Sequence, residues 1–246
     1  MAFDAPLGMA AYAAPSLFQL HRAREAIRDA HKKKIPPLMG YFSGLSHDHA
    51  AIGYALDAGA SIVVPQIETV EQAKHVVSAA KYGTKQKGTR SAPPFRFVPF
   101  VTDLPYDLKR TIHDCINDQA AIIIQIETLE GINNLDAMLT DVSDIDIVWL
   151  GSLDARISMN LPGNHGLGGA EQEWLDARGK FFSVLDKHDK PYGGFDFANP
   201  PYGSPEGLQK AAERMSFILM TADVIHLAAM GQDLQQAREL ICLCFF

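Results

Sequence analysis

Two apolar segments constrain this chain most: Ile122-Ile123-Ile124-Gln125-Ile126-Glu127-Thr128 and Ile147-Val148-Trp149-Leu150-Gly151-Ser152-Leu153-Asp154. Each is too short for a helix, and each runs into a carboxylate. Continuous apolar runs of this kind mark strands buried on both faces, which occur in parallel sheets covered by helices. A βα rhythm carries the pattern along the chain. Strands are expected at 38–42, 61–66, 121–126, 146–151, 192–197 and 224–230. Helices are expected at 16–34, 48–58, 70–82, 104–117, 129–139, 170–188, from 204 to about 221, and from 234 onward. Thr69 and Gln72 have capping-box spacing, and Ser204 before Pro205 reads as a helix start. Such alternation folds into a barrel or an open doubly wound sheet. No Gly-x-Gly-x-x-Gly follows a strand and no Walker pattern occurs, so nucleotide-binding sheets lose ground. In a (β/α) barrel the C-terminal ends of the strands carry the chemistry, and both acids fall there.

Composition fits one α/β domain over residues 1–246: 47% of the residues are hydrophobic, enough for a full core, and 21% are charged. A net charge of −7 argues against nucleic acid as a partner. The one basic cluster, Lys32-Lys33-Lys34, falls at the end of an expected helix, where cations suit the dipole. Cys115, Cys242 and Cys244 form neither a disulfide framework nor a zinc spacing, which suits a reducing compartment. With no basic, apolar leader and no apolar stretch of membrane length, the expectation is a cytoplasmic protein with no membrane partner.

Two carboxylates brought to one rim suit a hard divalent cation, with other positions left to substrate and water. The other use of strand-end acids is to cap the helices that follow. Gln125 shares a strand face with Glu127 and reads either as a substrate contact or as a satisfied interior amide. His47-Asp48-His49 reads first as a helix start capped by Asp48, and otherwise as a spare base or imidazole ligands. His226 reads as a buried, hydrogen-bonded histidine, and Asp196 as a polar intrusion near a strand end. Cys242 and Cys244 fall in an apolar helix end that seeks a partner surface.

Three segments taken together resemble the HpcH/HpaI aldolase family of metal-dependent 2-oxo-acid aldolases. They are Ala55-Leu56-Asp57-Ala58-Gly59-Ala60 followed by Ile62-Val63-Val64-Pro65, then Gln125-Ile126-Glu127-Thr128, then Gly151-x-x-Asp154 with Ser158-Met159-Asn160-Leu161-Pro162-Gly163. The resemblance runs in family order from roughly Pro37 to Leu240. It implies a (β/α)8 TIM-barrel-like fold, and a homo-oligomer of paired subunits that exchange C-terminal helices. The implied chemistry is reversible aldol cleavage of a small 2-oxo acid, releasing pyruvate or a close relative; some members decarboxylate oxaloacetate. By the same resemblance Glu127 and Asp154 are ligands of a divalent metal (Mg²⁺, Mn²⁺ or Co²⁺). Gln125 is the catalytic side chain near the oxo acid, and the backbone of Gly151, Ser152 and Leu153 faces the substrate carboxylate.

Two family parts have no counterpart. The segment resembling Asp-x-Glu-His-Gly, whose histidine moves a proton, is missing, and residues 1–15 contain no histidine. The arginine that holds the developing enolate falls on Gly40 when aligned from Pro37 and on Ser43 when aligned from Ala55. The chain before Ser16 is short for a full first βα unit plus a second strand, so the barrel is expected to be incomplete at the N-terminus, either open or rebuilt there or shortened from a longer parent. Losing a charge at an oxyanion costs on the order of a hundred- to a thousand-fold in turnover. The expectation is therefore a metal-dependent carbon–carbon lyase, impaired by these losses. The alternatives are an oxo-acid decarboxylase and a non-catalytic metal-binding assembly subunit.

Overall fold

The computed structural model describes residues 7–11, 37–42, 48–57, 61–83, 87–92, 109–118, 121–196, 203–222, 230–231 and 234–236. Seven strands close into one parallel barrel in chain order. They are β1 (Leu7–Ala11), β2 (Pro37–Phe42), β3 (Ser61–Val64), β4 (Ile122–Ile126), β5 (Ile147–Leu150), β6 (Tyr192–Phe195) and β7 (Met215–Ala222). Closure is made by β1, which pairs with β2 on one side and β7 on the other. Among the described residues the ring has seven strands, one short of eight.

The apolar runs are continuous because both faces of each strand are used. Val63, Ile123, Ile147, Trp149, Phe217 and Leu219 fill the barrel interior, with Trp149 6.0 Å from the Phe217 ring. Their neighbours Ile62, Val64, Ile122, Ile124, Ile126, Val148 and Leu150 face the helix layer and pack with Ile132, Leu135, Met138, Phe181 and Leu185. By strand alternation Gln125 lies on the interior face above Ile123, with Glu127 next along.

The helices are α1 (His49–Asp57), α2 (Val70–Ala80), α3 (Ile112–Asn117), α4 (Leu129–Asp141), α5 (Ser152–Ser158), α6 (Gln172–His188) and α7 (Pro205–Ala212). Their starts follow the local chemistry. Thr69 and Gln72 form the reciprocal capping box of α2. Thr128 accepts from the Gly131 N–H at α4, and Ser204 accepts from the Gly207 N–H at α7 with Pro205 at its first turn.

The C-terminal part departs from the sequence pattern. A helix to about Thr221 and a last strand at 224–230 are expected; instead α7 stops at Ala212, and the strand is Met215–Ala222. The run Met215-Ser216-Phe217-Ile218-Leu219-Met220 is apolar enough for either element. Burial decides it: Phe217 and Leu219 fill the barrel while Ile218 turns outward. Strand Leu7–Ala11 is likewise not evident from its five residues alone. Of the helix expected at 104–117, residues 109–117 fall within the described residues, and of these only Ile112–Asn117 is helical. The helix expected at 16–34 and residues 224–229 of the strand expected at 224–230 lie outside them, as do His47, His226, Cys242 and Cys244. Among the described residues no helix is long and apolar enough to cross a membrane.

Candidate active site

Glu127 leaves the end of β4 with its carboxylate held by two donors. Oε1 accepts the Gln66 backbone N–H at 2.9 Å, and Oε2 accepts the Gln125 Nε2 at 2.7 Å. Gln66 makes its contact from a left-handed backbone, φ 55°, at the end of β3. A non-glycine residue keeps such a conformation, at roughly 1–3 kcal/mol, only where its surroundings fix it. The next N–H, of Ile67, bonds the Gln125 carbonyl at 3.2 Å and ties the ends of β3 and β4 together. Glu127 is only 5% exposed. Burial raises its pKa from 4.5 to about 7; the charges of Asp154 and Glu68 add to this, and the Gln66 N–H opposes it. The Oε1 of Gln125 is buried without a hydrogen-bond partner.

Gly151 is the neighbour of Glu127 on β5's side, its N–H bonded to the Ile126 carbonyl at 2.9 Å. A β-carbon there would lie 2.6 Å from the Glu127 Cβ and Oε2 and 2.7 Å from the Gln125 Nε2. Close approach, and not an unusual φ, makes this position glycine. From Gly151 the chain enters α5 with no side-chain cap, so the N–H groups of Ser152, Leu153 and Asp154 belong to an uncapped first turn. Asp154 sits in that first turn and not at the end of the strand, as the sequence pattern had suggested. It is exposed, yet close enough to Glu127 for its charge to be felt. The Ser152 Oγ donates to the Gly166 carbonyl at 2.6 Å and fixes the loop that follows α5.

That loop has an anchor with no counterpart in the sequence reading. Arg156, fully buried, donates Nε to the Pro162 carbonyl at 2.7 Å and both Nη atoms to Glu171 at 2.8 Å. The guanidinium holds the Glu171 carboxyl down at about 2. Nothing local marks Arg156, because its partner lies on another segment. Asp48 takes the capping role expected of it, accepting the Ala51 N–H at 2.9 Å, and the His49 Nε2 lies 3.2 Å from the Thr89 carbonyl. These contacts make Asp48 and His49 a helix start.

Among the described residues no group of three or more His, Cys, Asp or Glu is placed to hold a metal. The acids that could hold one are the pair Glu127 and Asp154, with Gln125, Gly151 and the first turn of α5 beside them. A family model described as HpcH/HpaI aldolase/citrate lyase matches residues 11–192. The chain belongs to the HpcH/HpaI aldolase/citrate lyase family. Among relatives in that family, the 2-keto-3-deoxy-L-rhamnonate aldolase of Escherichia coli K12 is 32% identical over 119 residues, 47% of this chain and 41% of the relative. The 4-hydroxy-2-oxovalerate aldolase of Rhodococcus jostii is 31% identical over 136 residues, 54% of this chain and 48% of the relative. The matched stretch is thus less than half the length of either relative. Of solved structures, macrophomate synthase superposes with a TM-score of 0.72 at 25% identity, covering 96% of this chain and 84% of the other. A family protein from Burkholderia cenocepacia shares the fold, with a TM-score of 0.69 at 19% identity over 95% and 94% of the two chains.

Proposed function

We propose that this chain is a divalent-metal-dependent carbon–carbon lyase acting on a small 2-oxo acid. One observation carries the reading: Glu127 is a buried carboxylate, gripped by two donors and crowded by a second acid, at the C-terminal rim of a barrel. Two acids left so close together, one of them buried, are unfavourable without a cation. Their hard oxygen donors suit Mg²⁺, Mn²⁺ or Co²⁺, and outer donors that orient a ligand are a regular part of metal sites. Glu127 and Asp154 would hold the ion, which when bound supplies a Lewis acid for charge developing on the oxo-acid oxygen.

The chain's own residues do the rest. The Gln66 N–H and the Gln125 amide fix the plane of the Glu127 carboxylate. Gln125 is the catalytic side chain nearest the oxo acid, and the backbone of Gly151, Ser152 and Leu153 receives the substrate carboxylate at the uncapped start of α5. In cleavage the C4 hydroxyl gives up its proton, the C3–C4 bond breaks, and its electron pair passes toward the carbonyl. The aldehyde leaves, and C3 then takes a proton to give pyruvate or a relative. With no histidine in residues 1–15, water at the rim moves these protons, and turnover is lowered.

The missing counterpart of the proton-moving histidine in residues 1–15 favours a second reading, an oxaloacetate-type decarboxylase. That reaction needs the enolate charge held but no base for an alcohol. In either case we read residues 1–246 as one barrel domain in a cytoplasmic homo-oligomer, with no nucleic-acid or membrane partner. The test is pyruvate release with Mg²⁺ or Mn²⁺. Release from a 4-hydroxy-2-oxo acid supports the lyase, and release from oxaloacetate alone supports the decarboxylase. Metal binding without either product marks a non-catalytic assembly subunit and ends both readings.

A further inference from the structure

A cavity of about 260 Å³ runs along the outer face of β6, between that strand and α6. The strand's own sequence, Tyr192-Gly193-Gly194-Phe195, makes the room. A β-carbon on Gly193 would meet Ile147 and Phe217 inside the barrel, so Gly194 faces the helices, and its missing side chain leaves the space open. Trp174, Phe195 and Met215 give apolar walls. None of Gln125, Glu127, Gly151 and Asp154 lines the cavity, so it lies outside the site at the rim.

Its polar groups are uncommitted. The Tyr192 hydroxyl stands 3.3 Å from where a β-carbon on Gly194 would sit. It has no hydrogen-bond partner among the described residues, although a phenol in a protein interior ordinarily finds one. Burial pushes its pKa up to about 12 against the pull of Arg178 and Arg214, so it stays a donor. Arg178, exposed on α6, lies over the Phe182 ring at 5.0 Å and pairs with no carboxylate among the described residues. Asp196 follows the last residue of β6 and is half-buried, and burial raises its carboxyl above the ordinary range. No donor reaches that carboxyl among the described residues. Arg178 and Asp196 are the one cation and the one acid in the described lining.

We propose that this cavity binds a small zwitterion, a free 2-amino acid with an apolar side chain. Its carboxylate accepts from the Arg178 guanidinium and the Tyr192 hydroxyl, and its ammonium donates to Asp196. Charge balance supports this. A ligand with one pole of each sign neutralises both lining charges, whereas a simple acid or amine leaves one of them unpaired. Spacing supports it as well. The Tyr192 hydroxyl lies beside Gly194, and Asp196 is two residues further on, roughly 7 Å by the rise of a strand. Two charge-assisted hydrogen bonds of about 2.8 Å each, with poles one carbon apart between them, span that distance. Pockets for drug-sized ligands run roughly 300–1,000 Å³, so this one suits an occupant of amino-acid size. The site goes beyond the lyase reading and does not rest on it.

The test is calorimetric titration of the full chain with L-leucine, which is expected to saturate one site per chain at millimolar concentration. Three relatives each lack one feature: 4-methylpentanoate the ammonium, 3-methylbutylamine the carboxylate, and glycine the side chain. Each should bind at least about tenfold more weakly. Arg178→Gln and Asp196→Asn should weaken leucine by about tenfold or more, and Gly194→Val should abolish binding by filling the space. Arg178 is exposed, so its variant keeps the fold even where Gly194→Val does not. Glu127→Gln should leave leucine binding unchanged. No saturation in wild type overturns the proposal, as does wild-type affinity in Arg178→Gln and Asp196→Asn. Equal binding of 4-methylpentanoate, or loss of leucine binding in Glu127→Gln, overturns it too. No turnover is read, so the lyase reading can fail without altering this result.

Discussion

Gly151 approaches Glu127 so closely that a β-carbon on it would lie 2.6 Å from the Glu127 Cβ and from Oε2. The smallest substitution therefore reaches the site without touching the barrel core. Gly151→Ala is expected to push the Glu127 carboxylate off the Gln125 amide. Misplacement by about 1 Å commonly costs on the order of a hundred-fold in rate. Activity should fall at least tenfold and metal affinity with it, while circular dichroism stays that of wild type.

The raised pKa of Glu127 makes the metal-free protein sensitive to pH in a definite direction. The folded state holds the proton up to about pH 7 and the unfolded chain only to 4.5, so the stabilising contribution is complete below 4.5. It declines as pH rises and is gone by about pH 7. At ~1.4 kcal/mol per pK unit the loss is no more than about 3 to 4 kcal/mol. Glu127→Gln should flatten this part of the profile in urea melts. Added Mg²⁺ should also flatten it, because a cation binds the ionised form and competes with the proton.

Arg156 tests how the loop after α5 is held. Lysine keeps the charge but cannot make the two parallel bonds to Glu171 and the third to Pro162. Arg156→Lys is expected to lower the melting temperature and to speed proteolysis within residues 161–171. The Glu171 carboxyl, held near 2 by that guanidinium, makes the wild-type contact weaken as pH falls below 4.5 toward 2. Thermal melts from pH 5 to pH 3 should show this slope in wild type and a smaller one in Arg156→Lys.

The fold was legible where one physical rule sufficed. The runs ending in Glu127 and Leu150 could only be strands buried on both faces, and the caps at Thr69 and Ser204 mark their helices by side-chain chemistry alone. Met215–Ala222 was misread because its apolar run has no preference of its own, and the barrel interior chooses for it. The residue types of the candidate site were visible in Glu127, Asp154 and Gln125. Their support was not: the Gln66 N–H comes from sixty-one positions away, and the need for glycine at 151 appears only when two strands lie side by side. Asp154 was placed at the end of a strand because nothing in its neighbours shows that α5 begins immediately after β5.

Calorimetric titration of the purified protein with Mn²⁺, repeated on Glu127→Gln and Asp154→Asn, tests the central claim most directly. The account predicts one binding site per chain, weakened at least tenfold by either substitution while the melting curve stays cooperative. Wild-type affinity in both variants would contradict it.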